Sequence, residues 1–149
     1  MQTLFTPKVS DERRAELFEM MAEEGEPLRE KYSWAIPDKR AIRIAASFGP
    51  LVEVGAGKGY WAMLLRAAGV NVLAYDIIGT PAKGKGEKHG AVTFWSEVQR
   101  GGAKALQSVA CLGRALFLCY PDEYEVQDTS LGLDCLTRFS GDTAIHVGE

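Results

Sequence analysis

The segment Leu51-Val52-Glu53-Val54-Gly55-Ala56-Gly57-Lys58-Gly59-Tyr60-Trp61 constrains this chain more than any other. An apolar run halts in three alternate glycines, and a helical pattern follows. Glycine adopts backbone conformations that a Cβ forbids, so such a turn lets a flat or charged ligand lie directly against the main chain. A second apolar run, Val70-Asn71-Val72-Leu73-Ala74-Tyr75-Asp76, ends on an acid about 20 residues further on, where nucleotide-binding α/β folds place a carboxylate for ribose hydroxyls.

The glycine spacing separates the kinds of ligand. A dinucleotide fingerprint reads G-x-G-x-x-G and seats a pyrophosphate on the helix N-terminus. Here the pattern is Gly55-x-Gly57-x-Gly59, with Glu53 inside the preceding strand. This arrangement resembles motif I of the class I S-adenosylmethionine-dependent methyltransferases, acid-x-Gly-x-Gly-x-Gly. In that family the loop cradles the methionine end of the cofactor, and no pyrophosphate needs a seat. A nicotinamide or flavin binder, and a strand-turn-helix without any ligand, are the alternatives. A purely structural turn requires neither three alternate glycines nor an acid at the next strand's end.

At 149 residues, 46% hydrophobic and 25% charged, the chain reads as a single globular domain, with 1–48 a helical lead-in and 49–149 the cofactor-binding core. No apolar run approaches the roughly 20 residues of a membrane span, and Met1 to Lys8 lacks a secretory apolar segment, which points to the cytoplasm. Cys111, Cys119 and Cys135 show no C-x-x-C spacing, so the reading is reduced thiols, no disulfide framework and no metal site. A net charge of -3 disfavours nucleic acid as a partner, because phosphate-backbone binding relies on basic surface.

Along the chain, Ser10 before Asp11-Glu12 starts an acidic amphipathic helix that Gly25 and Pro27 should end near residue 24. Pro37 fits the first turn of a second helix carrying Ala41, Ile44, Ala45 and Phe48 on one face, with Gly49-Pro50 as its stop. A third helix runs from about Tyr60 to Gly69. Residues 79–90, rich in glycine and lysine, read as a loop, its lysines either solvated or facing an acidic substrate. The expected third strand is Ala91 to Trp95, followed by a helix around Ala103 to Ala110, a buried strand Ala115 to Pro121, a helix from Ser130 to Phe139, and a fifth strand Thr143 to Val147.

Five strands joined by helices or crossover loops predict an α/β, Rossmann-like doubly wound parallel sheet in the order 3-2-1-4-5. The resemblance covers roughly residues 33 to 149. It implies a further helix and strands six and seven, yet the sequence ends at Gly148-Glu149. Either the chain is a truncated form, or strand five is an edge that a second copy would cover.

Ligands of open α/β sheets bind beyond the carboxyl ends of the strands where the order reverses, here between strands one and four. By resemblance, Glu53, Gly55, Ala56, Gly57 and Gly59 would support the methionine portion of S-adenosyl-L-methionine. Asp76 would accept from both ribose hydroxyls, and Ile77 with Trp95 or Ser96 would border the adenine; a turn role for Asp76 and core packing for Trp95 are the structural alternatives. Tyr32, Ser33 and Trp34 precede the second helix and would close one side of the site, or else pack on the third helix. The family's Asp/Asn-Pro-Pro-Tyr/Phe motif after strand four is replaced by Cys119-Tyr120-Pro121-Asp122-Glu123-Tyr124. That departure speaks against methylation of a nucleobase or amide nitrogen. Tyr120, Asp122, Tyr124 and His146 remain candidates to orient an acceptor or take a proton. The sequence therefore reads as a methyltransferase acting on a small molecule or protein side chain. A catalytically silent S-adenosylmethionine-binding module and an NAD-dependent oxidoreductase are the alternatives.

Overall fold

A computed structural model describes residues 9–81, 93–122 and 130–148. The chain divides into two compact units, Met1–Tyr32 and Ser33–Glu149. The second helix falls in the same unit as the sheet.

The first unit is a helix, α1 (Asp11–Lys31). Ser10 caps it, its side chain accepting from the Arg13 amide, while Asp11 and Glu12 face the positive end of the helix dipole and Arg29 and Lys31 the negative end. The expected stop at Gly25 and Pro27 is corrected: the helix passes through Pro27 to Lys31. Proline forfeits one amide donor, but its fixed φ is helical. The bonds beyond it persist, the Tyr32 amide still reaching the Leu28 carbonyl at 2.8 Å.

In the second unit, α2 (Lys39–Ala46) is capped by Asp38, whose carboxylate accepts from the Ala41 amide at 2.7 Å. Pro37, expected in the first turn, precedes the cap. An aspartate that satisfies an orphan amide sets the start more firmly than a proline that merely tolerates it. The remaining elements are β1 (Leu51–Val54), α3 (Tyr60–Ala67), β2 (Val72–Asp76), β3 (Gln99–Arg100), β4 (Ala115–Cys119), α4 (Leu131–Arg138) and β5 (Ala144–Val147). All pairings are parallel and the order is β3-β2-β1-β4-β5. This is a Rossmann-like doubly wound α/β fold.

Side chains alternate across the sheet, so β1 and β4, buried from both sides, are apolar almost throughout. Leu51, Ala74, Ala115 and Phe117 pack on one face against Ala45 of α2 and Trp61, Ala62 and Leu65 of α3. Val52, Val54, Tyr75, Leu116 and Leu118 pack on the other against Ala103, Leu106, Cys111 and Cys135. Full burial of each large side chain contributes roughly 1.5–3 kcal/mol, so these two layers fix the sheet.

Two expectations between β2 and β4 fail. The third strand is Gln99–Arg100, pairing with Tyr75 and Asp76, and Thr93 to Trp95 are not extended in the sheet; Ala91 and Val92 lie outside the described residues. A two-residue exposed edge strand carries no apolar signature, and the nearby run Phe94-Trp95 carries a misleading one. The helix around Ala103 to Ala110 is two 3-10 turns, Ala103–Gln107 and Val109–Cys111, with Ser108 interrupting them and capping the second. Arg66 fastens this side of the fold, donating to the carbonyls of Val72 and Glu97 and to the Ser96 hydroxyl. Most of the expected loop of residues 79–90 lies outside the described residues; Gly79, Thr80 and Pro81 are within them, and Thr80 hydrogen-bonds to Val98.

Candidate crevice at the carboxyl ends of β1 and β4

All three glycines of the β1–α3 loop are left-handed, with φ of 78° at Gly55, 54° at Gly57 and 77° at Gly59. Their surroundings differ. A Cβ at Gly59 would stand 2.8 Å from both the Ser96 hydroxyl and the Val98 side chain, so Gly59 packs the start of α3 against the approach to β3. At Gly55 it would meet Leu131 of α4 at 3.1 Å. At Gly57 it would meet nothing within 4 Å. The bare main chain of Gly57 faces open space, and only its backbone conformation demands glycine.

Glu53 lies beneath this loop, 2% exposed. Burial pushes its carboxyl up to about 8; the Arg66 guanidinium pulls it down, the Asp76 carboxylate raises it, and a hydrogen bond with the Ala62 backbone lowers it. Ala62 sits in the first turn of α3, whose N-cap Gly59 offers no side chain, so Glu53 serves the helix start from inside the strand. Its Oε2 is buried with no hydrogen-bond partner.

Asp76 ends β2 on the other side of the loop. Its Oδ2 accepts from the Gly57 amide at 2.9 Å and its Oδ1 from the Ile78 amide at 3.1 Å. The carboxylate is thereby both a clamp on the glycine loop and a turn acid. Each oxygen keeps a second lone pair for another donor. Ile77 beside it is 76% exposed. Ala56 is buried, its amide donating to the Tyr75 carbonyl at 3.0 Å, as does that of Gly55 at 2.9 Å.

Ser96 has a role that its sequence position did not announce. Its hydroxyl donates to the Gly59 carbonyl at 2.9 Å and accepts from Arg66 at 3.0 Å, tying the segment before β3 to both ends of α3. Trp95 rests its ring edge-on against Tyr60, centroids 5.3 Å apart, and its amide donates to the Lys58 carbonyl. Arg66, absent from the sequence reading, holds this side together; a lone arginine near a helix end carries no signal of that kind.

On the β4 side, Tyr120 is left-handed at φ 46°, the one non-glycine residue so placed among the described residues. Its ring stacks on Trp34 with centroids 6.2 Å apart and planes 24° from parallel. Asp122 accepts from the Ser130 hydroxyl at 2.9 Å and the Gly132 amide at 3.3 Å, and so reinforces the start of α4. Ser33 donates to the Ala35 carbonyl, which also receives the Trp61 indole N–H at 2.8 Å. Tyr32 belongs to the first unit as the C-cap of α1, with the Lys31 ammonium 5.1 Å from its ring centroid. His146 is exposed on β5 and registers with Leu118, whereas Glu53 registers with Phe117; the two occupy opposite faces of the sheet. Glu123 and Tyr124 lie outside the described residues.

Cys119, at the end of β4, has its thiol pushed up to about 11 by burial, which keeps it protonated and poorly nucleophilic. Among the described residues no group of three or more His, Cys, Asp or Glu is placed to hold a metal ion, and no helix is long and apolar enough to cross a membrane. The reversal of strand order between β1 and β4, with a left-handed glycine loop after β1, defines the molecule as a doubly wound α/β protein whose candidate site lies at the switch point. Comparison with protein-family models, with curated proteins and with solved structures returns no match.

Proposed function

We propose that this chain binds S-adenosyl-L-methionine at the β1–α3 loop and transfers its methyl group to a small molecule or a protein side chain. The observation that carries the reading is the buried carboxyl of Glu53 set against the first turn of α3, where it leaves no seat for a pyrophosphate. A dinucleotide seats its pyrophosphate on that helix start, attracted by unsatisfied amides and the positive dipole end. Here an internal carboxyl already serves the position, and Asp76 adds a second acid at the loop. The Asp76 carboxylate disfavours a pyrophosphate and suits a ligand with a positive sulfonium and ammonium, while the Glu53 carboxyl, protonated at neutral pH, fills the helix-start position without adding charge.

The residues fit the group. Gly57 offers uncovered main chain, Asp76 retains two acceptor positions for vicinal hydroxyls, and Ile77 presents apolar surface beside them for a flat base. Bound there, the cofactor supplies an electrophilic methyl carbon that an acceptor lone pair attacks, the carbon–sulfur bonding pair staying on sulfur. Such a displacement asks the protein mainly for alignment and exclusion of water. An acceptor with a free lone pair needs no base before attack, which accords with Asp122 being occupied at the start of α4.

Calorimetric titration with S-adenosylhomocysteine and with NAD tests the reading. Heat of binding with the former alone is the expected result. Binding of NAD alone refutes it. Transfer of label from methyl-tritiated cofactor to a metabolite or protein pool then separates an enzyme from a silent binding module.

A further inference from the structure

Trp34 and Tyr120 are a costly arrangement to leave at a surface. Trp34 is 63% exposed and Tyr120 37% exposed, yet they are held in a defined near-parallel stack. Tyr120 holds its place at a left-handed φ, a conformation that disfavours any side chain and persists where the surroundings enforce it. Here they do: its amide donates to the Val147 carbonyl at 2.8 Å, and its ring packs on Trp34. Trp34 is fastened through its neighbour, since the Ala35 carbonyl accepts from both the Ser33 hydroxyl and the Trp61 indole. β4 continues from its last pair with β1, Glu53 with Phe117, to Tyr120, and β1 continues from the same pair to Gly55. The stack therefore lies just past the carboxyl end of β4, the strand beside the one that runs into the glycine loop.

Charge narrows what such a platform would take. Residues 33–37 and 119–122 contain no lysine or arginine, and Asp122 adds a negative charge on the β4 side. We propose that Trp34 and Tyr120 form a stacking platform for the methyl acceptor, and that the acceptor is a planar aromatic or heteroaromatic compound that is neutral or cationic. This rests on the cofactor reading above and adds the acceptor class to it. Flat rings gain from stacking on an indole face, a cation gains further from the ring quadrupole, and a carboxylate gains no ion pair from these two segments.

The full chain, labelled with nitrogen-15, is titrated with quinoline, N-methylquinolinium, quinoline-4-carboxylate and a saturated bicyclic alcohol, and the three tryptophan indole signals are followed. Trp34→Phe assigns the Trp34 signal. Quinoline and N-methylquinolinium are expected to move the Trp34 signal, and the carboxylate and the saturated ring to leave it in place. Trp34→Ala should weaken quinoline binding about fivefold or more, the usual worth of one stacked ring, while Trp34→Phe retains most of it. Thermal melts of both variants confirm that each is folded, and Tyr120→Leu provides an independent loss of the second ring. Equal binding of the carboxylate or of the saturated ring, or shifts confined to the other two indoles, overturns the proposal. A parallel titration with S-adenosylhomocysteine separates the two ideas. If it binds and quinoline does not, the platform is refuted and the cofactor site stands; if quinoline binds and it does not, the acceptor role is refuted.

Discussion

Replacing Glu53 with glutamine should make the protein less sensitive to rising pH. Glu53 carries a carboxyl raised from an ordinary 4.5 to about 8, chiefly by burial. Below pH 4.5 that group is protonated in folded and unfolded chains alike and contributes nothing. Between 4.5 and 8 the unfolded chain ionises while the folded one keeps its proton, so each pH step lowers stability by up to about 1.4 kcal/mol. Above 8 both states are ionised and the loss is complete. At neutral pH the accumulated cost is about 3 kcal/mol, a large share of the 5–15 kcal/mol typical of a domain. Glutamine is nearly isosteric and does not ionise, so it removes this dependence while leaving one buried polar atom unpartnered, as Oε2 is now. Urea unfolding of both chains at pH 5, 6, 7 and 8 measures the difference. The stability of Glu53→Gln relative to wild type should rise by about 3 to 4 kcal/mol across that range. Parallel profiles would show that the folded chain does not hold Glu53 protonated, and would refute this reasoning.

Three further predictions follow from the loop. Gly57→Ala should cost about 1–2 kcal/mol, the left-handed penalty alone, whereas Gly59→Ala adds contacts with Ser96 and Val98 and should cost about 3 kcal/mol or more in chemical denaturation; equal losses would contradict the distinction. Asp76→Ala removes the acceptor of the Gly57 and Ile78 amides, so stability should fall by about 1–3 kcal/mol and affinity for S-adenosylhomocysteine should drop, calorimetry reading the second effect. Ser96→Ala should lower stability by about 1–2 kcal/mol through the lost bonds to Gly59 and Arg66, with cofactor affinity unchanged; a large loss of affinity would return Ser96 to the adenine rim.

What the sequence disclosed followed burial. Apart from Glu53, β1 and β4 are apolar because both faces are covered, and the glycines between β1 and α3 are required by left-handed φ, so these elements and the strand order could be read directly. β3 could not, because Gln99 and Arg100 are exposed and polar and owe their conformation to pairing with Tyr75 and Asp76. Pro27 misled because a helix tolerates the loss of one amide when flanking bonds and end charges remain favourable. At the site, Asp76, Glu53 and the glycines were legible as a spacing. The internal duties of Ser96, Asp122 and Arg66 were not, since each depends on partners brought close only by the fold.

The account turns on whether a sulfonium nucleoside rests on the loop between β1 and α3. Backbone amide spectra of the nitrogen-15 chain, recorded during titration with S-adenosylhomocysteine and separately with NAD, test this residue by residue. The account predicts saturable shifts at Gly55, Gly57, Gly59 and Ile77 with the former and none with the latter. Shifts that bypass the loop, or equal shifts with NAD, would contradict it.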